Sequence, residues 1–176
     1  MSEIMLDLET MGNGPEAAVV AIGAVEFDIQ TRTTGRSFYS VISLDSAVAA
    51  GGIMDPATVL WWLQQSDDAR KLFTQPGQTI AASLTNFAAW LAQAGPVDDL
   101  KIWGNGAAFD NVILSSAYRR SGIPQPWQFR NDRCYRTLKG LYKHVKMQRQ
   151  GVHHNALDDA ISQARHLIDI FTTPKP

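Results

Sequence analysis

Three short clusters of acidic and imidazole side chains could do chemistry together. Asp7-Leu8-Glu9-Thr10 follows the apolar run Ile4-Met5-Leu6. If that run is a strand, side chains alternate between its faces, and Asp7 and Glu9 point the same way about 7 Å apart at ~3.3 Å rise per residue. Two carboxylates on one face of a buried strand repel each other unless a cation lies between them, and hard divalent ions such as Mg²⁺ take oxygen ligands of this kind. A strand end running into solvent would also carry Asp and Glu at little cost. Asp110 follows the turn Gly104-Asn105-Gly106 and is expected one turn into a helix that starts near Ala107. With Phe109, Ile113 and Ala117 marking its core face, Asp110 sits about 60° from the centre of that face at ~3.6 residues per turn, where a charge needs a partner. An Asp in a first helical turn is also favoured by the helix dipole alone.

The third cluster is His153-His154-Asn155-Ala156-Leu157-Asp158-Asp159. Asn155 is a good N-cap for a final helix. Asp158, three residues on, suits a role like that of a capping box, leaving Asp159 available as a ligand. Helical phase alone does not separate the two acids. A histidine just before the helix could act as a general base near pH 7. The His-His pair also reads as surface loop or as part of a transition-metal site. Zinc is disfavoured, because no other histidine or cysteine has matching spacing and Cys134 is alone.

The elements that must position these groups are legible in outline. Extended segments are expected over 3–9, 17–29 and 34–43, the last two joined by a polar hairpin connection. Pro56 opens a helix expected to reach about Phe73, and Gln75-Pro76-Gly77 breaks it. A second helix covers 79–93 with Leu84, Phe87, Ala88 and Leu91 on one face. Leu100–Trp103 is a short strand, and a helix to about Arg120 follows the glycine turn. Helix is expected for part of 132–145 and again from about Ala156 to Phe171. A three-strand meander followed by β/α units implies an α/β fold with a mixed central sheet flanked by helices, and sites in such folds lie at the carboxyl ends of strands. One domain over 1–172 is expected, with 173–176 a frayed tail.

Composition bounds the rest. The 176 residues are 45% hydrophobic and 19% charged, an ordinary globular balance. A single cysteine excludes an internal disulfide. The longest apolar run, around 17–25, is far too short to span a bilayer, so no membrane partner and a cytoplasmic protein are expected. Net charge is −1, yet residues 130–149 hold seven basic side chains against Asp132 alone. Their recurrence every three or four positions would align them along one helix face. Such a stripe either tracks phosphates or is merely a solvated face.

In order along the chain, Asp7-Leu8-Glu9-Thr10, Trp103-Gly104-Asn105-Gly106-Ala107-Ala108-Phe109-Asp110-Asn111 and His154-Asn155-Ala156-Leu157-Asp158-Asp159-Ala160 resemble the three motifs of DEDDh 3′–5′ exonucleases, members of the ribonuclease H-like superfamily. The Trp-Gly-Asn-Gly…Phe-Asp form, with Thr58…Trp61-Trp62…Gln65-Ser66, looks most like a small branch with phage exonucleases and mycobacterial-type exoribonucleases. The resemblance runs from residue 4 to about 171. It implies two divalent cations, Mg²⁺ or Mn²⁺, held by Asp7, Glu9, Asp110 and Asp159, with His154 as general base. His154 to Asp159 has the family's spacing; His153 to Asp158 has it too, but Ala156-Leu157 favours the first register. The implied partner is the 3′ end of single-stranded DNA or RNA, and family members are often homodimers. Thr10, Met11, Asn105 and Phe109 lie near the acids in sequence and could line a substrate groove, as could Trp61 or Trp62, which point about 100° apart on a helix. Lys139, Lys143 and Lys146 are the candidate phosphate contacts of the basic stripe. Two alternatives stand beside this reading: a haloacid-dehalogenase-like phosphatase, which would require Asp where Glu9 stands, and a non-catalytic nucleic-acid-binding or assembly module, against which all four acids and the histidine are present.

Overall fold

The computed structural model describes residues 2–173. Five strands form one mixed sheet in the order β3-β2-β1-β4-β5. β1 (Ser2–Thr10), β2 (Val19–Asp28) and β3 (Thr33–Val41) make the antiparallel meander, while β4 (Leu100–Gly104) lies parallel to β1, and β5 (Asp132–Cys134) parallel to β4.

The alternation of β1 sorts its side chains as the pattern requires. Ile4, Leu6 and Leu8 enter one apolar core, and Met5 enters the other. The first core also takes Leu84, Phe87 and Leu91 from α4 (Ile80–Ala92) and Ile113, Leu114 and Ala117 from α5 (Asp110–Arg120). The second takes Tyr135 from α6 (Tyr135–Leu141) and Ala160, Ala164 and Leu167 from α7 (Ala156–Thr172). Asp7 and Glu9 share the face of Met5, and therefore the side of the sheet that α7 covers.

Two close approaches fix that geometry. Gly23 stands opposite Asp7 across the β1–β2 ladder, and a Cβ on Gly23 would overlap the backbone of Ala156. Only glycine lets the first turn of α7 press onto the sheet there, beside Asp7. Gly104 ends β4 opposite Leu6, and a Cβ there would overlap Asn111 Oδ1 and crowd Asp110.

Several expected elements differ. The helix expected from Pro56 to Phe73 is three pieces: α2 (Pro56–Leu63), α3 (Asp67–Arg70) and a 3₁₀ turn over Lys71–Thr74. Ser66 is the reason: its hydroxyl caps α3 by accepting from Ala69 N at 3.3 Å, while Arg70 Nη1 donates to Leu63 O at the end of α2. α1 (Leu44–Ala49), capped by Ser43, was not expected. Nor was β5, too short and polar to carry a period; Trp127 Nε1 and Asn111 Nδ2 both donate to Asp132 Oδ1 and hold it against β4. α5 begins at Asp110 itself, not a turn earlier. The basic stripe is not one helix face, since helix ends at Leu141 and residues 142–155 form an irregular strap. Thr173 closes α7, its N–H donating to Ile170 O; the rest of the expected frayed tail, 174–176, lies outside the described residues. Among the described residues, no helix is long and apolar enough to cross a membrane.

Candidate active site

β1 outruns its parallel neighbour. The β1–β4 register ends at Leu6 and Gly104, so residues 7–10 extend past the end of β4. The Leu8 N–H donates to Asp110 Oδ1 at 3.2 Å, so the first residue of α5 continues the ladder with its carboxylate. From the other end of the chain, α7 brings Asp159 over the same strand. Ligand oxygens of Asp7, Glu9 and Asp159 all lie within 4.8 Å of one another. Each of the four acids is less than a tenth exposed.

Such a cluster is electrostatically costly. Burial pushes the Asp7 carboxyl well above the usual range, and Asp110, Glu9 and Asp159 add to the shift, which the Gln163 hydrogen bond opposes. Burial, with Asp159 and Asp110, raises Glu9 to about 8. Burial also raises Asp110 to about 7, against backbone N–H donors including Leu8 and against the Arg136 charge. Two carboxylate oxygens, Glu9 Oε1 and Asp110 Oδ2, are buried without a hydrogen-bond partner. Buried, mutually repulsive and partly unpartnered oxygens are the donor set that a hard divalent cation satisfies.

Of the two acids in the third cluster, Asp159 is the one that faces Asp7 and Glu9. Asn155 Oδ1 caps α7 by accepting from Leu157 N and Asp158 N at 3.1 and 3.2 Å. Asp158 reaches back to the strap, accepting from Val152 N at 2.7 Å. Asp159 turns inward, its Oδ2 accepting from His154 N at 3.0 Å and its Oδ1 from Arg149. His154 adopts φ +65°, a left-handed conformation unusual outside glycine. Its ring lies edge-on to Trp61, centroids 4.8 Å apart, and stacks on His153 at 3.7 Å. Burial and His153 lower the His154 pKa below its ordinary value, outweighing the pull of Asp159. Nitrogens of His153 and His154 also lie within 4.8 Å of an Asp159 oxygen.

These groups open onto one cleft of about 520 Å³. Thr10, Asn105, Phe109, Trp61 and Trp62 line it as expected. The tryptophans divide their roles. Trp62 is buried and its Nε1 donates to Thr10 O at 3.0 Å, whereas Trp61 is 41% exposed. Met11 does not line the cleft: it is buried in the first core, its N–H donating to Ala18 O across the strand end. Lys139 lines the cleft, but Lys143 and Lys146 do not, because the chain has left the helix and Lys146 Nζ caps Lys143 O.

Several polar and charged lining residues escaped the sequence reading, Gln163, Arg136, Arg149 and Asn13 among them. Gln163 Nε2 donates to Asp7 Oδ1 at 2.7 Å. It lies one helical turn after Asp159 on the same face, and that i,i+4 relation was its available signal. Arg136 donates twice to Asn105 O, at 2.8 and 3.1 Å, and Arg149 holds Asp159. Both were visible as members of the basic segment but not as site residues. Asn13 reaches the cleft from the loop after β1, donating to Thr58 Oγ1.

With this geometry, the matches to known proteins are specific. Residues 2–171 match the model of the 3′–5′ exoribonuclease Rv2179c-like domain. An exodeoxyribonuclease of Enterobacteria phage T4 is 27% identical, over 78% of this chain and 70% of that protein. Among solved structures, the nuclease domain of 3′hExo, a DEDDh family member bound to rAMP, superposes with a TM-score of 0.64 at 14% identity, covering 96% of this chain and 90% of that one. E. coli exonuclease I in complex with a dT13 oligonucleotide gives 0.65 at 18% identity, covering 97% of this chain and 41% of that one. The sheet order, the helices on both faces and these neighbours establish the ribonuclease H-like α/β fold expected from the motifs.

Proposed function

This chain belongs to the Rv2179c-like 3′–5′ exoribonuclease domain family, and so to the 3′–5′ exonucleases; we propose that it removes nucleotides from the 3′ ends of single-stranded DNA or RNA with two divalent cations, Mg²⁺ or Mn²⁺, and a histidine general base. The observation that carries the reading is the convergence of Asp7, Glu9, Asp110 and Asp159 in one cleft, where Arg149 pairs with Asp159, the charge of Arg136 acts on Asp110, and burial with the remaining repulsion keeps the Asp7 and Glu9 carboxyls raised.

Asp7, Glu9, Asp110 and Asp159 would hold the cations. When bound, these supply an activated attacking water and charge stabilisation at the phosphorus and the departing 3′-oxygen. His154, kept neutral near pH 7 by its environment, accepts the proton of the attacking water at a ring nitrogen. The water oxygen bonds to phosphorus, the bond to the 3′-oxygen breaks, and a nucleotide leaves. Trp61, the more exposed tryptophan, offers a stacking face for a terminal base. Phe109 and Asn105 flank the same space, and Lys139 and Arg136 present positive charge to the backbone. The family description names RNA, whereas the phage relative is an exodeoxyribonuclease, so both sugars are included.

The membership argues against a haloacid-dehalogenase-like phosphatase, and the intact acid set argues against a purely non-catalytic module. The test is Asp110→Asn, which removes charge without removing volume. It is expected to abolish hydrolysis of a labelled oligonucleotide while leaving the circular dichroism spectrum and oligonucleotide binding intact. Full hydrolysis by this variant would overturn the assignment.

A further inference from the structure

Among the described residues, Arg136, Lys139 and Arg149 line the cleft, and they are held differently. Arg136 is committed to Asn105 O by two hydrogen bonds. Lys139 Nζ lies over the Tyr135 ring, 5.8 Å from its centroid. Of these three, Arg149 is the one that sits on a carboxylate of the acidic cluster, Asp159 Oδ1. The second oxygen of that carboxylate is already taken by the His154 N–H. Asp159 is buried, while the Arg149 side chain is 38% exposed at the cleft mouth, so the arginine has open space into which to swing.

Its backbone does not share that freedom. The strap is fixed to α7 on the far side of Arg149 by Gln150 N donating to Ser162 Oγ at 2.9 Å and by Val152 N donating to Asp158 Oδ2. On the near side Met147 lies against the Tyr135 hydroxyl at 3.5 Å. These contacts anchor the chain on both sides of Arg149, and its half-exposed side chain is the part with room to move.

We propose that Arg149 is a phosphate-binding residue of the site, seated on Asp159 as a counterion and transferred to the non-bridging oxygens of the scissile phosphate when divalent cations take that carboxylate. This rests on the nuclease reading above. A guanidinium beside Asp159 opposes a cation at the same oxygen, so metal binding must displace it. A displaced guanidinium stays in the cleft that holds the four acids, where the substrate phosphate would arrive. A planar guanidinium suits two phosphate oxygens better than an ammonium does. The contact thus keeps a buried carboxylate satisfied in the metal-free protein and places a cation where the substrate's charge arrives.

The exchange predicts opposite signs for two measurements. Mn²⁺ titrated calorimetrically into the full chain without substrate should bind Arg149→Ala more tightly than wild type, by roughly 5-fold or more, because a competitor is gone. The same variant should lose about 10- to 100-fold in kcat/KM on a single-stranded oligonucleotide, as expected for a charged hydrogen bond. Arg149→Lys should recover part of the kcat/KM. A residue that merely supported the strap would weaken both. Unchanged or weaker Mn²⁺ binding in Arg149→Ala would overturn the competition, and unchanged kcat/KM would overturn the phosphate contact. If the wild type hydrolyses nothing, the nuclease reading fails, while the Mn²⁺ titration still decides whether Arg149 and the cation compete.

Discussion

Gln163 Nε2 donates to Asp7 Oδ1 at 2.7 Å, so the first acid of the cluster is oriented by a helix residue 156 positions away. Its own Oε1 is buried and has no partner. Gln163→Leu would keep most of the volume but leave Asp7 free to rotate. Outer partners of this kind typically contribute about 10- to 100-fold in metal affinity or activity. We expect kcat/KM to fall in that range and Mn²⁺ affinity to fall with it. A variant that lost activity at unchanged Mn²⁺ affinity would show that Gln163 does not act through Asp7.

The acidic cluster predicts an inverted pH dependence of stability. Folded values above the usual carboxylate range mean that the fold favours the protonated forms. That contribution is complete below the ordinary carboxylate pKa and is lost as pH rises through about 7 for Asp110 and about 8 for Glu9. The metal-free protein should therefore melt lower at pH 9 than at pH 6, by roughly 5–10 °C if about 2–3 kcal/mol is involved. Saturating Mg²⁺ should reverse the loss, because ligands that bind only the native state stabilise it. Glu9→Gln should raise the metal-free melting temperature at pH 9 and abolish hydrolysis. Differential scanning calorimetry with and without chelator checks each point.

His154 and His153 should separate cleanly. His154→Ala is expected to cost about 10²–10⁴-fold in kcat/KM, the usual range for a positioned general base. His153, exposed and stacked on its neighbour, should cost far less. The wild-type profile of log kcat/KM should rise with pH and turn to a plateau earlier than an ordinary histidine would give, because the His154 pKa is lowered. The rise should be absent in His154→Ala. An unchanged profile in that variant would remove the base assignment.

The basic segment should divide at the end of α6. Lys139→Gln should raise KM for a homopolymer oligonucleotide and flatten its salt dependence by about one unit of slope, with kcat little changed. Lys143→Gln and Lys146→Gln, whose side chains lie outside the cleft, should leave the slope parallel to wild type. Loss of slope in these two variants would place the strand over the strap instead.

What was legible in the sequence was what carries a local signature. Asp7 and Glu9 announced themselves by alternation at a strand end, Asn155 by its cap, and Asp110 by the glycine turn before it. The mixed sheet followed from element order. What stayed hidden depends on long-range packing. Met11 looked as close to the acids as Thr10, but the strand end turns it into the core. Lys143 and Lys146 continued a helical spacing that the chain abandons at Leu141. The break at Ser66 set a three-residue capping signal against a longer apolar pattern, and the cap won. Gln163 and Arg149 acquire roles only because α7 presses onto Gly23 and the strap folds back over Asp159.

The central claim is metal-dependent removal of nucleotides from a 3′ end, and product polarity reads it most directly. Matched single-stranded DNA and RNA oligonucleotides, labelled at the 5′ or the 3′ end, would be digested with Mg²⁺ or Mn²⁺ and with chelator. With either metal, 5′-labelled strands should shorten stepwise, and 3′-labelled strands should release a labelled mononucleotide at once. Chelator, or Asp7→Asn, should stop both. Internal cuts, shortening from the 5′ end, or undiminished digestion in chelator would contradict the account.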